Sequence, residues 1–160
     1  MLDAQTLLKR LHEHKVEYVV IGGMAMVTHG SSHVTQDLDV AYARSDRNLH
    51  DLAGALAPLS PRLRGAPAGL PFLWDVSTIR AGLNFTLDTD LGPIDLFGEV
   101  PGIGDYEAVK KLSAVHAVFG FDVPVLSLDG LIAAKKAAGR TKDQLHLIEL
   151  NELKKFEDKG

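Results

Sequence analysis

Two aspartates, Asp37 and Asp39, sit two residues apart in an otherwise apolar run, "DLDVAY", residues 37–42. On an extended strand, residues i and i+2 point to one face. Both carboxylates therefore project together, while Leu38 and Val40 turn to the other side. Side by side the charges repel, which raises the pKa of one of them unless a cation intervenes. The cation that suits paired oxygen ligands is a hard divalent ion such as magnesium. A third carboxylate, Asp95, has the same apolar–acid–apolar setting in "PIDLF", residues 93–97. If its strand lies beside the first, three acids share one face. That is a platform for two ions, one activating an attacking oxygen and one holding a nucleoside triphosphate. Asp88 and Asp90 compete for the third place, but Asp90 falls in a turn and Asp88 at a strand end.

The other half of such a site is a place for phosphate. The run "VVI", residues 19–21, stops at Gly22-Gly23 and a short helix follows. Backbone N–H groups at a helix start favour phosphate, and glycine permits close approach. Ser31 and Ser32, in the loop before the acids, offer hydroxyls. Near the C-terminus Leu128, Leu131, Ile132 and Lys135 share a helical stripe. Lys135 there either snorkels to water or reaches a polar cleft and a phosphate. Asp143 shares a face with Leu147 and Leu150 in the next helix, so it too can point inward. A Lys135–Asp143 ion pair joining the two helices is the structural alternative.

The elements that must position these groups follow from periodicity and punctuation. Residues 3–14 read as a helix with Asp3 as N-cap, and Glu17–Ile21 as a buried strand. Met24–Thr28 reads as a short helix, His29–Gln36 as a polar loop and Leu38–Ala43 as a second strand. Ser45 or Asp46 caps a helix to about Leu56. Pro58–Pro71 holds four prolines and two glycines and reads as loop. Within it Arg62 and Arg64 read as exposed, although they could close over phosphates. Phe72 and Trp74, just after, read as core rather than as base-stacking groups. Leu83–Asp88 and Pro93–Phe97 form a hairpin, Tyr106–Leu112 a helix, and Val115–Phe119 with Val123–Leu126 a second hairpin turning at Gly120. Helices over 127–138 and 142–156, divided by Gly139, close the chain. The order predicts an α+β fold.

Bulk properties narrow the function classes. The 160 residues match one ordinary domain, 1–160, and 46% apolar content can build a core. A net charge of −4 argues against a broad nucleic-acid-coating surface. The absence of cysteine excludes disulfides, zinc–thiolate sites and thiol catalysis. The seven histidines show no metal-ligand spacing, and His12 and His14 face apart on their helix. No run reaches the roughly 20 apolar residues that span a bilayer, nor is there a signal peptide. The expectation is a soluble cytoplasmic protein.

The pattern strand, Gly-Gly, short helix, loop, Asp-x-Asp and a later strand Asp resembles the nucleotidyltransferase superfamily of the DNA polymerase β type. More narrowly, "GGMAMVTHGSSHVTQDLDV" and "LIAAKKAAGRTKD" resemble small bacterial nucleotidyltransferase-like proteins, including toxins of abortive-infection toxin–antitoxin systems. The resemblance covers residues 16–44, 82–100 and 125–150. It implies a minimal nucleotidyltransferase fold, a short mixed sheet flanked by helices. It implies Asp37 and Asp39 as magnesium ligands, and Asp95 as third ligand or general base. Gly22, Gly23, Ser31, Lys135 and Asp143 would serve the nucleotide. The implied cofactors and partners are two magnesium ions, a nucleoside triphosphate, and an acceptor hydroxyl on an RNA 3′ end, a protein or a small molecule. An antitoxin partner and a homo-oligomer are further implications. Two positions depart from the pattern: His33 stands where relatives carry arginine, and His146 where they carry a second acid. These departures motivate the alternative, a catalytically weak nucleotide-binding or partner-binding module of a toxin–antitoxin pair.

Overall fold

A computed structural model describes residues 1–67 and 69–159. Helix α1 (Ala4–Glu13) starts at Asp3, whose carboxylate accepts from the Thr6 backbone N–H at 3.1 Å. Its apolar stripe, Leu7, Leu8 and Leu11, is fully buried, as helical periodicity requires. Strand β1 (Tyr18–Ile21) runs straight into α2 (Gly22–Thr28). After a loop come β2 (Leu38–Tyr42) and α3 (Asp46–Leu56), the latter capped by the Ser45 hydroxyl. A 3-10 turn at Ala57–Leu59 leads to β3 (Arg62–Leu63), then α4 (Val76–Ala81) and the hairpin β4 (Asn84–Thr89) with β5 (Gly92–Phe97). A small ribbon, β6 (Glu99–Val100) with β7 (Gly104–Asp105), precedes α5 (Tyr106–Lys111). The hairpin β8 (Ser113–Val118) with β9 (Phe121–Leu126) and the helices α6 (Leu128–Ala138) and α7 (Thr141–Lys159) complete the chain.

Seven strands form one mixed sheet in the order β3-β4-β5-β2-β1-β9-β8. Together with the helices this is the expected α+β architecture. Central β1 lies antiparallel to β2 and parallel to β9, and β2 lies parallel to β5. Register is fixed by the period of two. Leu38 and Val40 pair with Ile94 and Leu96, and all four are completely buried. Each such burial is worth about 1.5–3 kcal/mol. A like-charge pair facing across strands costs roughly 1 kcal/mol or less. The apolar face therefore sets the register, and the acids on the opposite face must accept it.

The segment expected as continuous loop contains β3. Its pairing, Arg62 with Asp88 and Leu63 with Leu87, is made to a strand some two dozen residues later, so local composition did not reveal it. Phe72 and Trp74 pack against the core, Trp74 edge-on to Phe85 with ring centroids 5.9 Å apart. Among the described residues no helix is long and apolar enough to cross a membrane.

Candidate active site

The parallel β2–β5 register places Asp39 directly beside Asp95. Asp37, one residue ahead of β2, joins them, and one carboxylate oxygen from each lies within 4.8 Å of the others. Asp39 is the most enclosed: its Oδ1 is buried and has no hydrogen-bond partner. Burial, and then the neighbouring Asp37 and Asp95 charges, push its carboxyl up to about 8. Asp95 is raised as well, chiefly by burial, with Arg64 pulling it back. A buried carboxylate oxygen with no donor is costly unless something binds it. The three hard oxygen donors suit a divalent metal ion, and a cation would oppose the upward shifts by favouring the ionised carboxylates.

Gly22 and Gly23 have reasons within the fold to be glycine. Gly22 has φ +65°, and a Cβ there would collide with the Asp39 carboxylate. A Cβ on Gly23 would come within 3.0 Å of the His33 ring and the Thr35 hydroxyl. The two glycines thus let the acid and the loop before it sit against the end of β1. That loop is pinned at both ends. The Thr35 hydroxyl donates to the Asp37 carbonyl at 2.6 Å. Ser31 is buried, and its hydroxyl donates to Glu149 of α7 at 2.5 Å while accepting from the His33 N–H at 2.9 Å. Ser31 is turned to α7 and does not line the acid cavity. His33 does line it, edge-on to His146 with ring centroids 5.1 Å apart. The two departures from the resembling pattern are therefore in contact with each other.

Across the cavity, α6 and α7 bring Lys135 and Asp143 together at 3.2 Å. Asp143 is wholly buried and accepts four bonds: Lys135 Nζ, Arg140 Nε at 2.7 Å, a second guanidinium nitrogen at 3.2 Å and the Arg140 backbone N–H at 3.1 Å. The last is the carboxylate half of a capping box at the start of α7. Burial raises its pKa, but the Arg140 and Lys135 bonds outweigh this and hold it down to about 2. The ion pair anticipated as the structural alternative is present, and Lys135 still borders the acid cavity.

Two cavities meet here. One, about 340 Å³, has Asp37, Asp39 and Asp95 facing Lys135, Arg140 and Lys142. The other, about 330 Å³, shares Asp39, Phe97, Lys135 and Arg140 and is otherwise mostly apolar, between the sheet and α6.

Arg64 is the residue that sequence reasoning underrated. Its guanidinium is 2.7 Å from Asp95 Oδ1, 3.2 Å from Asp88 Oδ1 and 3.8 Å from Asp37 Oδ2, and its side chain is only 29% exposed. Arg62, two residues earlier, meets Asp90 at 3.5 Å and the Ser60 carbonyl at 2.7 Å in the open, and none of the three clustered acids. Nothing local separates the two arginines; the difference lies in which acids the β4–β5 hairpin presents to them.

No family profile matches the sequence, and no curated protein matches it. Solved structures do match its fold. A Thermotoga maritima protein assigned as a nucleotidyltransferase superposes with TM-score 0.59 at 19% identity, covering 95% of this chain and 96% of the other. The lincosamide antibiotic adenylyltransferase LnuA, lincomycin-bound, gives 0.62 at 13% identity over 95% and 98%. ANT(2″)-Ia in complex with adenylyl-2″-tobramycin gives 0.50 at 13% identity over 92% and 94%. The fold is thus of the nucleotidyltransferase type, as the resemblance implied. At these identities it is the architecture that is shared.

Proposed function

We propose that the chain is a magnesium-dependent nucleotidyltransferase that moves a nucleoside monophosphate from a nucleoside triphosphate to an acceptor hydroxyl. The observation that carries this reading is the cluster of Asp37, Asp39 and Asp95, with its unpartnered buried oxygen, facing Lys135 and Arg140 across one cavity. Asp37, Asp39 and Asp95 are the residues that would hold magnesium. When bound, two such ions supply charge neutralisation at the phosphate oxygens. The chain's own residues supply orientation. The Gly22 and Gly23 backbone borders the two cavities that would receive the phosphates, and Lys135 and Arg140 present positive charge at the cavity rim. Ser31 and Asp143 support the nucleotide by fixing the loop and the helix pair beside it. The acceptor oxygen bonds to the α-phosphorus, the bond to pyrophosphate breaks, and the hydroxyl proton passes to Asp95.

Among acceptors, a small molecule has the most support. The second, mostly apolar cavity offers it room, and LnuA and ANT(2″)-Ia are solved with lincomycin and adenylyl-2″-tobramycin. An RNA 3′ end or a protein hydroxyl is tested alongside. Incubation with α-labelled nucleoside triphosphates and magnesium should label an acceptor. Asp37→Ala/Asp39→Ala should cut labelling at least about a hundredfold. Absence of transfer to small molecules, RNA or protein would sink the enzyme reading. The alternative, a weak nucleotide-binding module of a toxin–antitoxin pair, is favoured by one observation: Arg64 already engages two of the three acids. Nucleotide binding without transfer would select it.

A further inference from the structure

We propose that Arg64 is a positioning residue whose guanidinium stands in for a second cation between Asp95 and Asp37, so that the free chain takes one divalent ion on its acid face and a second only with nucleotide. The proposal rests on the metal reading of that face and goes beyond it in assigning a residue to set the stoichiometry.

The placement of Arg64 is built rather than incidental. Its backbone N–H donates to the Thr86 carbonyl at 2.9 Å, continuing the β3–β4 pairing by one residue. One terminal nitrogen donates both to the Leu87 carbonyl at 2.8 Å and to Asp95 at 2.7 Å, and Nε donates to Asp88. A fork with fixed donor directions, held by β4 backbone and by carboxylates of β4 and β5, cannot swing away as a lysine ammonium can. Asp88, outside the acid trio, anchors the base of the fork and leaves its tip for Asp95 and Asp37.

Charge counting gives the consequence. With Asp88 counted, four ionised carboxylates beside one guanidinium leave three negative charges, which one divalent ion reduces to one. A second ion would leave the face positive until phosphate oxygens arrive. Arg64 does not touch Asp39, whose buried Oδ1 has no protein donor and is the open position for the first ion. Without Arg64, Asp95 and Asp37 would be free to bind ions of their own, and the attraction for any cation would rise.

The test is a manganese titration of the full-length protein, following free Mn²⁺ by electron paramagnetic resonance. Wild type without nucleotide should bind one ion. With a non-hydrolysable nucleoside triphosphate it should bind two. Arg64→Gln without nucleotide should bind Mn²⁺ on the order of tenfold more tightly or take up a second ion. Arg64→Lys, which keeps the charge but not the fixed fork, should fall between wild type and Arg64→Gln. Two ions on nucleotide-free wild type would overturn the proposal, and this arm needs no variant to fold. So would Arg64→Gln binding Mn²⁺ no more tightly than wild type. If that happens while Asp39→Asn still abolishes binding, the metal reading survives and only the role of Arg64 falls. If wild type binds no Mn²⁺ with or without nucleotide, both fall together.

Discussion

Two charged clusters border the same cavity, and they are built on opposite plans. Around Asp143 one buried carboxylate meets two cations and a backbone N–H, and every oxygen is used. Around Asp39 one guanidinium serves, of the three acids, Asp37 and Asp95 only, and a buried Asp39 oxygen is left without a donor. The opposite pKa shifts follow: Asp143 is held down to about 2, and Asp39 is pushed up to about 8. A saturated cluster fixes structure, and an unsaturated one waits for a ligand. The difference gives each cluster its own response to substitution.

The largest effect on stability belongs to the saturated cluster. Asp143→Ala leaves Lys135 and Arg140 facing each other without their anion and removes the α7 capping bond. The expected loss is about 3–5 kcal/mol in urea unfolding. Gly22→Ala comes next. Left-handed φ alone costs about 1–2 kcal/mol, and the new Cβ must also displace the Asp39 carboxylate. Combining it with Asp39→Ala should recover the second part and not the first. Asp39→Asn should do the reverse of Asp143→Ala. In chelator above about pH 8, where the Asp39 carboxyl is ionised, it relieves repulsion and gains up to about 1 kcal/mol. With magnesium present it should lack the thermal stabilisation expected of wild type. A destabilised Asp39→Asn protein in chelator would break the contrast between the clusters.

How much of this was legible in the sequence depends on the range of the interaction. Local signals read true: Asp3 and Ser45 cap their helices, and Gly139 ends α6 with φ +65°. The acid face was legible because strand alternation dictates it, given one assumption, that β5 lies beside β2. The register then followed from Leu38, Val40, Ile94 and Leu96. Arg64 was not legible, because its value comes from Asp88 and Asp95 on a hairpin distant in sequence. The contact of Ser31 with Glu149 spans 118 residues and carries no local mark. The meaning of His33 also changed. Read alone, it looks like a weakened phosphate ligand; in the structure it is one half of a pair with His146, so the two departures belong together.

That pair gives the smallest and most discriminating effect, a pH dependence. His146 is lowered from 6.5, mainly by burial and then by Lys135 and His33, with Asp143 opposing and Lys142 adding to the shift. The folded chain therefore keeps the imidazole neutral at a pH where the unfolded chain has begun to protonate it. Since the unfolded state binds more protons, stability rises with pH through this window. The contribution is full above about 6.5 and is lost as pH falls towards the lowered folded value. Asp39 acts with the opposite sign, because a raised carboxyl binds its proton more tightly in the folded state and favours folding as pH drops from about 8. Asp143, held near 2, is silent until pH falls below about 3.8. The two opposing groups overlap below about pH 6.5, so the wild-type curve alone does not isolate either. Comparison with His146→Gln does. Removing the imidazole should make the acid side of the stability profile rise relative to wild type and leave the alkaline side parallel. An unchanged difference across the range would show that His146 is solvated, and that the His33–His146 contact does not couple the acid-bearing loop to α7.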